Sequence, residues 1–283
     1  MSEPSSGILG IFPDLGVRTQ IVGVLNVTPD SFSDGGRFLE SDRAIEHARS
    51  LVRAGADLID VGGDSTRPGS EGVSAEVELE RVLPVIRALA KEGVKISIDT
   101  SKALVAARAL EAGAVVVNDV SGGRFDPEIL AVVAHTKAPM ILMHTRGLPR
   151  DMNRGSWIYE GGVTLAVTRS LEASLTRAEQ AGIERDRLIV DPGIGFGKTV
   201  AENIDLLAGL QVLARLGRPI MIGTSRKSFL GHLTGRGVED REFGTAATVA
   251  LAIARGADLV RVHDVEHMAD VVRVSDALVR VRR

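Results

Sequence analysis

One pattern recurs eight times along the 283 residues and leaves few folds open: a short run rich in β-branched residues, then a longer segment with helical periodicity. The runs cover residues 21–26, 58–62, 95–99, 115–118, 140–144, 188–191, 220–223 and 259–262. The helical segments between them include 75–91, 103–112, 163–181 and 203–216. Strands that alternate with helices imply an α/β fold with a parallel sheet. Eight such units in this length predict a single-domain (β/α)8 TIM barrel over residues 1–283. An open doubly wound sheet is the runner-up. It normally carries a glycine-rich turn after its first strand, whereas that turn here reads Asn26-Val27-Thr28-Pro29-Asp30. Residues 1–20 are expected to form an extension or hairpin that closes the barrel bottom.

A barrel wrapped in helices needs an aliphatic core, and the composition supplies one: 44% hydrophobic residues but only 3% aromatic. A formal net charge of -3 gives no broad positive field, which argues against nucleic-acid binding. The absence of cysteine excludes disulfides, thiolate metal sites and a cysteine nucleophile. The first twenty residues carry Glu3 and Asp14 among Gly and Pro, unlike a signal peptide. The longest near-apolar stretch, 246–254, is too short to span a membrane. A soluble, cytoplasmic chain without membrane or nucleic-acid partners is expected.

Barrels carry their active sites at the C-terminal ends of their strands. Those ends form a polar series: Asn26; Ser65-Thr66-Arg67; Asp99; Asn118; His144; Asp191; Ser225-Arg226-Lys227; and Arg261 with His263. Turn-making or helix capping is the simpler account of Thr100, Ser101 and Asp119. It fits Arg67, Lys227, Arg261 and His263 poorly. Asp99, Asn118 and Asp191 offer acceptors and one amide, suited to a heterocycle rich in N–H donors such as a 2-amino-4-oxopterin. Arg67, Lys227, Arg261 and His263 suit a diphosphate.

Several longer motifs run in order along almost the whole chain: Gly23-Val24-Leu25-Asn26-Val27-Thr28-Pro29-Asp30-Ser31-Phe32-Ser33-Asp34-Gly35-Gly36, Ser65-Thr66-Arg67-Pro68-Gly69, Ser97-Ile98-Asp99-Thr100, Asn118-Asp119-Val120, Met143-His144, Asp191-Pro192-Gly193-Ile194-Gly195-Phe196-Gly197-Lys198-Thr199, Ser225-Arg226-Lys227-Ser228-Phe229 and Arg261-Val262-His263-Asp264-Val265. Together they resemble the dihydropteroate synthases. That resemblance implies condensation of a pterin methyl diphosphate with p-aminobenzoate, a step of folate biosynthesis. It implies that Asp99, Asn118, Asp191 and Lys227 hold the pterin. Asn26 and its loop would carry Mg2+ and diphosphate, with Arg261 and His263 as further diphosphate partners. Thr66 and Arg67 would belong to a second mobile loop, and Asp34 to a first loop that closes over the reaction. Phe32, Pro68, Phe196, Lys227 and Ser228 would line the arylamine pocket. The resemblance also implies a homodimer through the last helices and sensitivity to sulfonamides. Asp64, Thr145 and Glu202 depart from the family's usual Glu, Met and His, and Asp64 is the one near the chemistry.

Three other motifs mislead. Residues 192–199 nearly spell a phosphate-binding P-loop, but Pro192 stands where glycine is needed. His263-Asp264-Val265-Glu266-His267 spells an inverted zinc-protease pattern, yet His263 directly follows a strand. Arg280, Arg282 and Arg283 suit a helix C-terminus without nucleic acid. His47, His135 and His232 carry no assigned task. Two rival functions remain: a methyl-folate-dependent methyltransferase, which has no use for a diphosphate cluster, and a non-catalytic pterin-binding paralogue, which has no need of complete loops.

Overall fold

The computed structural model describes residues 7–28, 37–65, 70–147, 152 and 159–280. Its strands are β1 (Gln20–Asn26), β2 (Leu58–Gly62), β3 (Ile96–Asp99), β4 (Val116–Asp119), β5 (Met140–Met143), β6 (Leu188–Asp191), β7 (Met221–Ile222) and β8 (Leu259–Val262). All pair in parallel, in the order β6-β5-β4-β3-β2-β1-β8-β7. A bridge from Val190 to Ile220 joins the two ends and closes the barrel. The predicted (β/α)8 barrel is therefore the fold, and the doubly wound alternative is excluded.

Strand side chains alternate between two faces, and here both faces are buried. The outward face packs Ile59, Val61, Ile98, Val117, Leu142, Val190 and Val260 beneath the helices. Fully burying one such side chain stabilises the fold by about 1.5–3 kcal/mol. The inward face changes character along the barrel axis. Its lower layer is apolar: Val22, Leu58, Val116, Ile141, Ile189, Met221 and Leu259. Two residues further along the same strands stand Asp60, Asn118, Asp191 and Arg261. The period of two that fills the bottom with aliphatic side chains thus delivers the polar ones to the mouth.

The N-terminal extension lies at the barrel bottom. Among the described residues before β1, 7–19, it contains one helical turn, α1 (Ile8–Ile11). Ile8 and Phe12 (1% exposed) pack against the lower layer and plug it.

The remaining helices are α2 (Arg37–Arg53), α3 (Ala75–Lys91), α4 (Ala103–Glu111), α5 (Glu128–Thr136), α6 (Val163–Gln180), α7 (Val200–Ala208), α8 (Ser228–Thr234), α9 (Glu242–Ala254) and α10 (Val265–Val279). The single helix expected over 203–216 is two elements. A capping box between Thr199 and Glu202 starts α7 three residues early. Gly209 then ends it, and 210–216 continues as a 3-10 helix. A Cβ at Gly209 would stand 2.8 Å from the Thr164 hydroxyl oxygen of α6, so close packing requires glycine there.

Candidate active site

The inward polar residues converge at the C-terminal mouth. Asp99, Asn118, Asp191, Phe196, Lys227 and Arg261 line one slot of about 20 Å3. That is room for the centre of about one water. The Lys227 ammonium sits 4.1 Å from the centroid of the Phe196 ring, a cation–π contact between two residues of the slot's lining. A larger cavity of about 270 Å3 adjoins it through Asp99 and Val120, and Asp64, Glu78 and Lys102 are among its walls.

Two turns set the slot's far wall. After β6, Asp191 accepts the Gly193 amide at 2.7 Å. Gly193 has a φ of +67°, and a Cβ there would lie 1.9 Å from the His144 carbonyl oxygen. Only glycine can make this turn. Lys198 secures it from beneath, donating to the Gly193 carbonyl at 2.7 Å and the Phe196 carbonyl at 3.1 Å. After β7, Arg226 adopts a φ of +58°, a left-handed conformation that a non-glycine residue holds at a cost. The Thr245 hydroxyl accepts its amide and Arg241 donates to its carbonyl. Lys227 follows directly.

Beneath the slot lies a carboxylate that the motif reading did not single out. Asp60 is fully buried inside the barrel. It accepts from the Ser97 hydroxyl at 2.6 Å, the Asn118 amide at 2.9 Å and Arg261 Nε at 2.6 Å. Arg261 donates a second nitrogen to Asp99 at 2.7 Å. The sequence series grouped Arg261 with the diphosphate cations. In the fold its guanidinium is bracketed by the carboxylates of Asp60 and Asp99. One signal was legible: an aspartate within the apolar run Leu58-Ile59-Asp60-Val61 is a buried charge, and buried charges are paired. Ser225, already in the polar series, gains a partner in the fold: its hydroxyl accepts the His263 amide and hydrogen-bonds the ring Nδ1 at 3.0 Å.

Electrostatics follow from this burial. Burial pushes Asp99 up to about 7, Arg261 opposes the shift, and Asp60 and Glu78 add to it. Asp191 rises to about 6, chiefly through burial, against the pull of the Gly193 amide and Lys227. Lys227 falls to about 8 and Lys198 to about 7, again with burial as the main cause. Burial would also lower Arg261, but Asp60 and Asp99 outweigh it and hold the guanidinium firmly protonated.

The other expected positions divide. Asn26 lies at the end of β1, half-buried; a Cβ on Gly62 would be 3.7 Å from both its Oδ1 and Asp99 Oδ2. Ser228 is exposed at the start of α8. His144 is held neutral by burial and by Lys198, Arg124 and Arg146, and its ring faces Tyr159. Phe32, Asp34, Thr66, Arg67 and Pro68 lie outside the described residues. Asp119 makes the turn expected of it, accepting the Ser121 and Gly123 amides. Asp64, despite its shorter side chain, accepts from the Ser65 and Val73 amides and from Lys102, and so holds both ends of that segment. Glu202 caps α7 and pairs with Arg146. The two histidines of the zinc-like motif point to different partners, His263 to Ser225 and His267 to Asp264 and Glu242.

This barrel, with buried acceptors and cations at one mouth, matches the sequence pattern of the pterin binding enzymes over residues 22–263. The chain belongs to that family. Within it, the chain is 51% identical to the dihydropteroate synthase of Synechocystis over 94% of its own length and 92% of the relative's. Its fold superposes on dihydropteroate synthase from Clostridium difficile, crystallised in the presence of pteroic acid, with a TM-score of 0.89 at 43% identity, covering 95% of this chain and 99% of that one. The Xanthomonas albilineans dihydropteroate synthase with 4-aminobenzoic acid gives 0.87 at 43% identity, covering 94% of each chain. The chain is a transferase of the dihydropteroate synthase group, acting in folate biosynthesis.

Proposed function

We propose that this chain joins 6-hydroxymethyl-7,8-dihydropterin diphosphate to p-aminobenzoate as follows. Asp191, Asn118 and Asp99 accept the N–H groups of the pterin, with the Asp191 carboxylate taking two from the aminopyrimidine edge. Lys227 donates to the ring's acceptors, and Phe196 gives an apolar face. The CH2–O bond to diphosphate breaks, and the oxygen keeps the electron pair. The CH2 cation is delocalised into the electron-rich dihydropterin. The neutral arylamine then forms the CH2–N bond and sheds one proton, balanced by the diphosphate released. No strong base is needed, because an arylamine attacks without prior deprotonation. The observation that carries this reading is the convergence of three acceptors and two cations on one slot, described above.

His263, oriented by Ser225, and Arg261 face the departing anion and favour its charge. For Mg2+, the hard amide oxygen of Asn26 beside bare Gly62 fits a metal that takes few protein ligands and shares phosphate oxygens. Asn26 would hold it, and the ion would neutralise charge on the diphosphate. Thr66 and Arg67 are assigned to the second loop, Asp34 to the first, and Phe32, Pro68 and Ser228 to the arylamine pocket. The proposed location is the cytoplasm, which a cysteine-free chain suits. Among the described residues no helix is long and apolar enough to cross a membrane.

Diphosphate release in Mg2+, measured with and without p-aminobenzoate, tests the reading. Release coupled to pteroate formation is expected. Methyl transfer without diphosphate release would establish the methyltransferase instead, and binding without either reaction would leave only a pterin-binding protein.

A further inference from the structure

We infer that Asp60, which touches no substrate, is the positioning residue that gives the pterin pocket its acceptor pattern. It does so by orienting the Asn118 amide and anchoring the Arg261 guanidinium. The inference rests on the pterin-site reading above.

An ionised aspartate accepts hydrogen bonds and donates none. Asp60 stands inside β2, two residues above Leu58 of the apolar lower layer. Three donors from three different strands close on it: Ser97 from β3, Asn118 from β4 and Arg261 from β8. Because Asp60 only accepts, the amide of Asn118 must turn its NH2 downward, 2.9 Å from Asp60. Its carbonyl oxygen is the end left to the slot that Asn118 lines. Asn118 therefore presents an acceptor, although its side chain carries a donor of equal reach. A pterin edge rich in N–H groups needs that choice made before it arrives, since an amide free to turn would face it with a donor part of the time.

The same carboxylate fixes the cation. Arg261 Nε lies 2.6 Å from Asp60, and a second guanidinium nitrogen lies 2.7 Å from Asp99. Two anchors on a planar group leave it one orientation. With Asp60 absent, Arg261 would rest on Asp99 alone, and Asp99 is an acceptor the pterin needs. Asp60 thus keeps two of the three pterin acceptors in their working state, and Ser97 in turn keeps Asp60 from rotating.

Titration calorimetry with 6-hydroxymethyl-7,8-dihydropterin, on Asp60→Asn, Asn118→Ala and the double variant, tests this. Asp60→Asn is expected to weaken pterin binding at least about tenfold, the size of one lost charge-assisted hydrogen bond. If Asp60 acts through Asn118, the double variant binds little worse than the weaker single one, because coupled residues are not additive. Multiplying effects, or Asp60→Asn affinity equal to that of the unmodified chain, would overturn the inference. The pterin-site reading fails separately, if Asn118→Ala and Asp191→Asn both bind pterin normally.

Asn118→Asp gives a second measurement that keeps Asp60 in place. It sets a carboxylate against Asp60, with Asp99 and Asp119 also near and Arg261 as the neighbouring cation. Protonated, the new acid copies the amide: its hydroxyl donates to Asp60 and its carbonyl faces the slot. Pterin affinity relative to the unmodified chain should therefore recover on acidification, by about tenfold or more if one repelling contact is relieved. A ratio that does not change with pH would show that this position does not face a carboxylate.

Discussion

Two groups of opposite charge, buried Asp191 and half-buried Lys227, help bound the pH range in which the site can work. Asp191 must be ionised to accept pterin N–H groups, and burial has pushed it up to about 6. Lys227 must be protonated to donate, and burial has pulled it down to about 8. The kcat/KM for the pterin substrate should therefore be bell-shaped, rising as pH passes about 6 to about 7, where Asp191 and then Asp99 ionise, and falling as it passes about 8. A profile flat across both values would remove these two residues from the binding step. Folding stability carries the opposite sign at Asp191. Its native value lies above the ordinary 3.8, so the folded chain keeps the proton longer, and stability drains away as pH climbs from about 4 to about 6. Lys227→Met keeps the stem and removes the charge. It should abolish most turnover and the upper limb of the bell while leaving the melting temperature nearly unchanged; normal activity would reduce Lys227 to a bystander. Asp191→Asn still offers Gly193 an acceptor, so the turn survives. It also faces a pterin donor with a donor, and pterin affinity should fall at least roughly tenfold to a hundredfold. Calorimetry and a thermal melt on one sample decide this, and unchanged affinity would take Asp191 out of the site.

Elements rather than single residues hold Lys227 opposite Asp191. The turn after β6 passes so close under β5 that Gly193→Ala places a methyl 1.9 Å from the His144 carbonyl oxygen, at a positive φ. The expected loss of stability is several kcal/mol, larger than a typical point substitution, and pterin binding should go with it. A melting temperature within a few degrees of the unmodified chain would mean the turn can relax, at this level of destabilisation. Such turns also explain what could be read in advance. Strand positions were legible because parallel strands buried on both faces read as runs dominated by aliphatic residues; Leu58–Gly62, Leu188–Asp191 and Leu259–Val262 form as their composition implies. The end of α7 was not, because Gly209 breaks it in answer to Thr164, a residue 45 positions away whose approach no local pattern encodes. The one-turn plug at Ile8–Ile11 escaped for the same reason, since its stability comes from the barrel floor it covers and not from its own length. Within the site, motif residues were visible because glycine, proline and charge cluster at the strand ends. Asp60 was hidden by an apolar strand, and the pairing of Arg261 with it spans 201 positions.

At the scale of the whole molecule, α9 and α10 lie side by side and leave an apolar face uncovered. Phe243 is 86% exposed and Leu278 77%, with Leu251 and Val274 beside them in the two helices. Exposed Ala247 and Ala254 continue the α9 stripe without bulk. A patch of this kind marks an interaction site. The homodimer through the last helices that the family resemblance implies would cover it, since a stripe shared by two adjacent helices can meet its own image about a two-fold axis. The face is also tied to the chemistry. Thr245 of α9 accepts the amide of strained Arg226, and the Thr248 and Thr224 hydroxyls lie 2.9 Å apart, so α9 holds the turn that carries Lys227. Pairing two copies through α9 would stiffen that turn, while Asp99, Asn118 and Asp191 stand on strands remote from the face. Sedimentation velocity on the unmodified chain should give a dimer. Phe243→Glu with Leu278→Glu should give a monomer, because burying two charges in an apolar interface costs more than such a contact can supply. In that monomer both kcat and pterin affinity should fall as the Lys227 turn loosens. An unmodified chain that sediments as a monomer at assay concentration would end the proposal; a double variant that stays dimeric would move the interface elsewhere.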